Sequence, residues 1–242
     1  MNIINIIFYV LISIFKYLNI YIFMNNVLVC FMSCTKNKEL WENLLSHNLN
    51  SLIFVGDPNI SEQFIYKNRI LTLKCEDTYE YLPVKVYTMI NAILNISDFD
   101  DITHIYKIDD HDTKISDNLN EVLKTIKLSD YCGQNINYRG PRDWHIGKCS
   151  HNSPWNEKLY KGKYIPWCDG GCGYLLSKKA MNFIKECNLN KEQMHDIYIY
   201  EDLMISLLLR DKKIYPNEIE DIIIGDKLKK QIKPMKRRRR RY

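Results

Sequence analysis

The chain has 242 residues, 46% of them hydrophobic and 26% charged, enough for one sizeable domain and too ordinary in composition for a disordered or collagen-like chain. Its net charge of +5 conceals an uneven distribution: residues 227–242 carry ten Lys or Arg and no acid, leaving 24 basic against 29 acidic side chains elsewhere. A mildly acidic body with a basic tail argues against nucleic-acid recognition by the folded surface, which would spread positive charge over one face.

Residues 3–23 form an apolar stretch interrupted by Asn5, Lys16 and Asn19. It lacks a small-residue cleavage site, so it reads as an uncleaved signal anchor, an interfacial helix or an upstream extension outside the working domain. Met24 opens a segment with the look of a soluble domain start. The expected division is therefore a hydrophobic segment at 1–24, a domain at 25–226 and a disordered basic tail at 227–242. The tail has too few apolar residues to fold, and it can bind an anionic partner such as lipid head groups or nucleic acid.

Strand-like and helix-like segments then alternate. A β-branched apolar run at 27–34 predicts a strand, 36–47 a helix, 52–56 a second strand and 70–74 a third. Residues 82–96 show helical spacing, with Pro83 tolerated in the first turn. A strand at 104–108 runs into Asp109, Asp110, His111 and Asp112; an amphipathic helix at 118–128 and a strand at 131–136 follow. After a long aromatic and polar stretch at 137–166, regular structure resumes at 167–177, with helices at 178–187 and 200–209, and a strand-like run at 221–224. This pattern predicts a doubly wound, mostly parallel α/β sheet, which binds ligands at the carboxyl ends of its strands.

Three clusters can carry chemistry. The acidic run from Asp109 to Asp112 offers hard oxygen ligands to a divalent metal, or is a solvated acidic turn. The run Gly170-Gly171-Cys172-Gly173 lets backbone approach a ligand, or is a tight turn into a buried strand. Glu201-Asp202 opens an apolar helix, where it either complements the helix dipole or supplies a general base. The aromatics Tyr138, Trp144, Trp155, Tyr160 and Tyr164 suit either a sugar ligand or a packed cover over the sheet. The eight cysteines are scattered and read as buried free thiols; a Cys168–Cys172 zinc pair lacks a second pair at convincing spacing, and one or two disulfides would need a secretory lumen.

In order and spacing these segments resemble the inverting β-1,3-galactosyltransferase and fringe family. Asp77-Thr78-Tyr79-Glu80-Tyr81-Leu82-Pro83-Val84-Lys85 is similar to its Asp-x-Tyr-x-Asn-Leu-x-x-Lys segment. Asp109-Asp110 stands at its Asp-Asp-Asp (DxD) motif, Gly170-Gly171-Cys172-Gly173-Tyr174-Leu175-Leu176-Ser177 at its glycine-rich segment, and Glu201-Asp202 at its Glu-Asp-Val motif. Phe54-Val55-Gly56 matches an early strand, and the resemblance covers residues 27–209.

That resemblance implies a single GT-A-like domain and metal-dependent, inverting transfer of a hexose from a UDP-sugar, with Mn²⁺ or Mg²⁺, to a saccharide or glycoprotein hydroxyl. It implies Asp202 as the general base, Asp109, Asp110, Gly170, Gly171 and Glu201 at the donor, and a metal held by Asp110 with His111 or Asp112, the Asp110–Asp112 pair preferred. Asp110 and Asp202 are then expected to face each other across one crevice. The chain departs from the family at His111, at Tyr81 in place of Asn, at Ser206 in place of Gly, and in having no His after His195. A degenerate member that binds glycan or nucleotide without turnover is the alternative.

Overall fold

The computed structural model describes residues 25–110, 115, 119–125, 127–137 and 143–219. The apolar stretch at 3–23, the metal candidates His111 and Asp112, Tyr138, the strand-like run at 221–224 and the basic tail lie outside the described residues. No helix among the described residues is long and apolar enough to cross a membrane.

The chain opens with β1 (Val27–Met32), a 3₁₀ turn (Thr35–Leu40) and α1 (Trp41–Ser46), then β2 (Ser51–Gly56), β3 (Phe64–Lys67) and β4 (Ile70–Leu73). A second 3₁₀ turn (Tyr79–Tyr81) leads into α2 (Leu82–Ile93), which places Pro83 in its first turn, where a missing N–H costs nothing. Next come β5 (His104–Asp109), α3 (Leu119–Thr125), β6 (Tyr131–Gly133) and β7 (Asn135–Ile136). After the long connection follow β8 (Trp167–Cys168), β9 (Tyr174–Ser177), α4 (Lys178–Glu186), α5 (Lys191–Ile197), α6 (Glu201–Arg210) and β10 (Asn217–Glu218).

Eight of these strands form one sheet in the order β10-β6-β9-β5-β1-β2-β4-β3, and β7 pairs with β8 separately. The β10–β6, β5–β1, β1–β2 and β2–β4 pairs are parallel; β9 runs against both β5 and β6, and β3 against β4. The expected mixed α/β domain with a mostly parallel sheet is present, with β9 and edge strand β3 reversed. From β1 the chain winds outward through β2 and β4, then returns to place β5 on the other side of β1. Strand order therefore reverses between β1 and β5, whose register pairs Met32 with Asp109. Asp109 and Asp110 lie at this switch point, the position where such sheets bind ligands.

All six residues of β1 are buried, as in a strand covered on both faces. Leu28, Cys30 and Met32 join one core with Ile105, helix α2, helix α4 and the apolar side of α6. Val27, Val29 and Phe31 join the other with Tyr106, Ile108, Leu44 of α1, and Leu119 and Leu123 of α3. A third cluster packs Trp155 and Tyr160 of the long connection against Trp167, Ile199, Tyr200 and Leu203.

Several expected elements differ in detail. The strand read at 131–136 divides at Gln134, because β6 hydrogen-bonds to β9 whereas β7 turns away to β8. The helix read at 36–47 begins as a 3₁₀ turn broken at Asn37 (φ −101°). Strands β3 and β10 and helix α5 are additions to the expected elements.

Gly173 precedes β9 with φ +88°, and a Cβ there would lie 2.8 Å from the Lys107 carbonyl oxygen. Left-handed backbone costs a residue other than glycine about 1–2 kcal/mol before any collision. Gly173→Ala is thus expected to lower unfolding free energy by about 2 kcal/mol or more. An unchanged urea midpoint would contradict this reading of the turn.

Candidate active site

On β5 the side chains alternate between faces, so Lys107 and Asp109 share one face. Lys107 is fully buried, a rare place for an ammonium unless it is paired. Its Nζ donates to Asp109 Oδ1 at 2.8 Å, Glu201 Oε1 at 2.7 Å and Gly170 O at 3.1 Å, one acceptor for each of its three protons. The other Glu201 oxygen accepts from Tyr174 OH at 2.7 Å. Burial alone would push the Lys107 pKa down, but Asp109 and Glu201 together outweigh it and hold the group above its ordinary value. Burial raises Glu201 to about 6, against the pull of Lys107 and with a smaller push from Asp202.

Asp202 lies one residue further along α6. Its Oδ2 accepts from Trp167 Nε1 at 3.1 Å and from the Gly170 N–H at a longer 3.4 Å, and its Oδ1 accepts from the Leu203 N–H at 2.8 Å. Gly170 is tightly enclosed: an added Cβ would collide with Glu201 Oε1 and stand 3.2 Å from Asp202 Cβ. A Cβ on Gly171 would lie 3.8 Å from Asp109 Oδ2. The glycine turn therefore runs between Asp109 at the end of β5 and Asp202 at the start of α6.

Asp110 leaves the strand end differently. It is 7% exposed, and its Oδ2 accepts from Ser33 Oγ at 2.5 Å and Asn37 Nδ2 at 2.9 Å. Ser33 Oγ in turn accepts from Trp41 Nε1 at 2.7 Å. Beneath them Lys85, 2% exposed, donates to Ser33 O and to Asp77, whose other oxygen accepts the Thr35 N–H at 3.1 Å. The outer members of the 77–85 segment thus brace the end of β1.

Asp109 is joined to the Asp202 turn through Lys107 and Gly170, while Asp110, expected to face Asp202, accepts from Ser33 and Asn37. Glu201, expected at the donor, directs its oxygens to Lys107 and Tyr174. Among the described residues no group of three or more His, Cys, Asp or Glu is arranged to hold a metal. Asp109 and Asp110 contribute oxygen donors at the strand end, while His111 and Asp112 lie outside the described residues.

Lys107, Trp167, Tyr174, Ser33 and Asn37 were not among the residues expected at the site. The signal for Lys107 was available: a lysine inside an apolar central strand, two positions before a carboxylate. The departures also find local explanations. Ser206 donates to Pro166 O at 2.6 Å, and the Tyr81 ring lies 4.6 Å from that of His195.

In the connection before β8, Trp155 and Tyr160 are buried and form a packed cover, whereas Trp144 is 42% exposed. His145, fully buried, bridges Tyr200 OH at 2.5 Å and Lys158 O at 2.8 Å. Buried Glu80 accepts from the N–H and hydroxyl of Ser150, clasping this cover to the turn before α2. The cysteines are free thiols, four of them buried (Cys30, Cys75, Cys132 and Cys168).

The galactosyltransferase family model matches residues 59–220, two thirds of the 242-residue chain. The chain therefore belongs to the galactosyltransferase family, and with it to the glycosyltransferase enzymes. No curated protein matches it.

Burial pushes the Glu80 carboxyl up, but the Ser150 hydrogen bonds and neighbouring donors outweigh burial and leave it below its ordinary 4.5. A depressed folded-state value contributes stability above pH 4.5 that is lost as pH falls through the folded-state value. Glu80→Gln is expected to cost about 1–2 kcal/mol at pH 7. Its deficit relative to wild type should shrink on acidification, read from urea midpoints across that range. A deficit independent of pH would contradict the clasp.

Proposed function

We propose that the chain transfers a hexose from a UDP-sugar to a hydroxyl of a saccharide or glycoprotein, with inversion and with Mn²⁺ or Mg²⁺. The observation that carries this reading is the Gly170–Gly171 turn, set between Asp109 and Asp202 and tied to both ends of the site. Family membership supports a sugar donor and a glycan acceptor in general terms.

An alcohol is a poor nucleophile at neutral pH, and a positioned carboxylate removing its proton contributes about 10²–10⁴-fold. Asp202 takes that role: the acceptor hydroxyl gives its proton to the carboxylate as its oxygen bonds to the anomeric carbon. The bond from that carbon to the diphosphate oxygen breaks on the opposite face, and UDP leaves with the electron pair. Trp167 and Gly170 orient the carboxylate, and the Gly170–Gly171 backbone stands between it and the donor-side Asp109.

Carboxylate oxygens suit Mg²⁺ and Mn²⁺, so the donor chemistry of Asp109 and Asp110 fits such an ion, with His111 or Asp112 completing the set. A bound divalent cation would neutralise the diphosphate and improve it as a leaving group. The pairing of Glu201 with Lys107 and Tyr174 supports a place for it beneath the turn, on the donor side of Asp202.

UDP release measured on the full chain over a donor panel tests this reading. Turnover is expected with Mn²⁺ and lost with chelator, and Asp202→Asn should reduce it by about 10²–10⁴-fold while UDP still binds. Wild-type turnover in Asp202→Asn would remove that residue from its role. UDP binding without turnover on any donor would favour the non-catalytic alternative.

A further inference from the structure

We propose that Lys107 is the positioning residue of this site, holding the donor-side carboxylate and the base at their working separation; the inference rests on the transferase reading. No other described side chain is hydrogen-bonded to Asp109, Glu201 and the glycine turn at once. Gly170 is the hinge of the arrangement, because it gives its carbonyl to Lys107 and its N–H to Asp202. Lys107 thus reaches Asp202 by two routes: through Gly170, and through Glu201, the residue preceding Asp202 on α6. Tyr174 closes the far side by donating to Glu201, and its ring centroid lies 5.6 Å from the ammonium.

The ammonium never contacts the sugar in this account. It is sealed beneath the turn and acts by geometry alone. Without it, Gly170 O and Asp109 Oδ1 each lose a charged donor, and the separation across the turn is no longer fixed from below. Displacement of reacting groups by about 1 Å can cost about 10²-fold in rate.

Lys107→Met alone strands the buried Glu201 charge and is expected to lower the melting temperature, which by itself would not separate positioning from folding. The informative variant is Lys107→Met/Glu201→Gln. It removes both charges together and leaves Tyr174 an amide oxygen as acceptor, so its melting temperature should recover most of the loss.

Two readouts are then taken on the folded double variant. The first is kcat at saturating donor and Mn²⁺, expected to stay about 10²-fold below wild type. The second is the ¹⁵N indole spectrum, assigned by Trp167→Phe. The Trp167 resonance, which reports on Asp202, should move, while those of Trp155 and Trp41, bonded to His195 O and Ser33, stay in place. A folded double variant with wild-type kcat, or with the Trp167 resonance unmoved, would overturn the proposal. If wild type itself turns over no donor, the transferase reading fails, and the indole spectrum alone decides whether Lys107 positions Asp202.

Discussion

A lysine ammonium enclosed between two carboxylates is the constraint around which this structure is arranged. Burying a charge is costly unless its partners are close and its protons are all accepted. Lys107 meets that condition only if β5, the glycine turn and α6 converge on it. The reversed direction of β9 serves the same end. By pairing antiparallel to β5, with Lys107 opposite Tyr174, it brings the preceding glycine turn back over the end of β5. The left-handed Gly173 and the tightly enclosed Gly170 are the local cost of routing backbone through so narrow a place.

A second buried lysine does similar work one strand away. Lys85 reaches from α2 to Asp77 and the Ser33 carbonyl, bracing the end of β1 where Ser33 and Asn37 hold Asp110. Two cations thus sit beneath the two strand ends of the switch point. Asp109 belongs to the network that includes the α6 acids, and Asp110 to the one that includes the 77–85 segment. Consecutive acids at a strand end in this way serve different neighbours.

Much of the fold was legible because its central strands bury both faces. The apolar run of β1, the Leu52–Val55 run of β2 and the buried middle of β5, broken only by Lys107, admit few alternatives to a covered sheet. Elements of low pattern content were not legible. Phe64–Lys67 alternates exposure on an edge, Asn217–Glu218 spans two exposed residues, and Lys191–Ile197 announces itself mainly by its Asn190 cap. The break at Gln134 depends on which strands β6 and β7 find as partners, which no local pattern states. At the site the acids and glycines stood out as residue types in motif order. Trp167, Tyr174 and Lys107 did not, since their importance lies in contacts 27 to 94 residues apart in sequence. The aromatic connection divided: Trp155 and Tyr160 went into a packed cover and Trp144 to the surface.

Crystals of the protein soaked with UDP and Mn²⁺ offer the most direct measurement, with anomalous scattering used to find the ion. Manganese density is expected against the Asp109 side of the Gly170–Gly171 turn, with the diphosphate beside it and the Asp202 carboxylate across the turn. Nucleotide and ion seated together elsewhere, with Asp202 directed away from both, would contradict this placement.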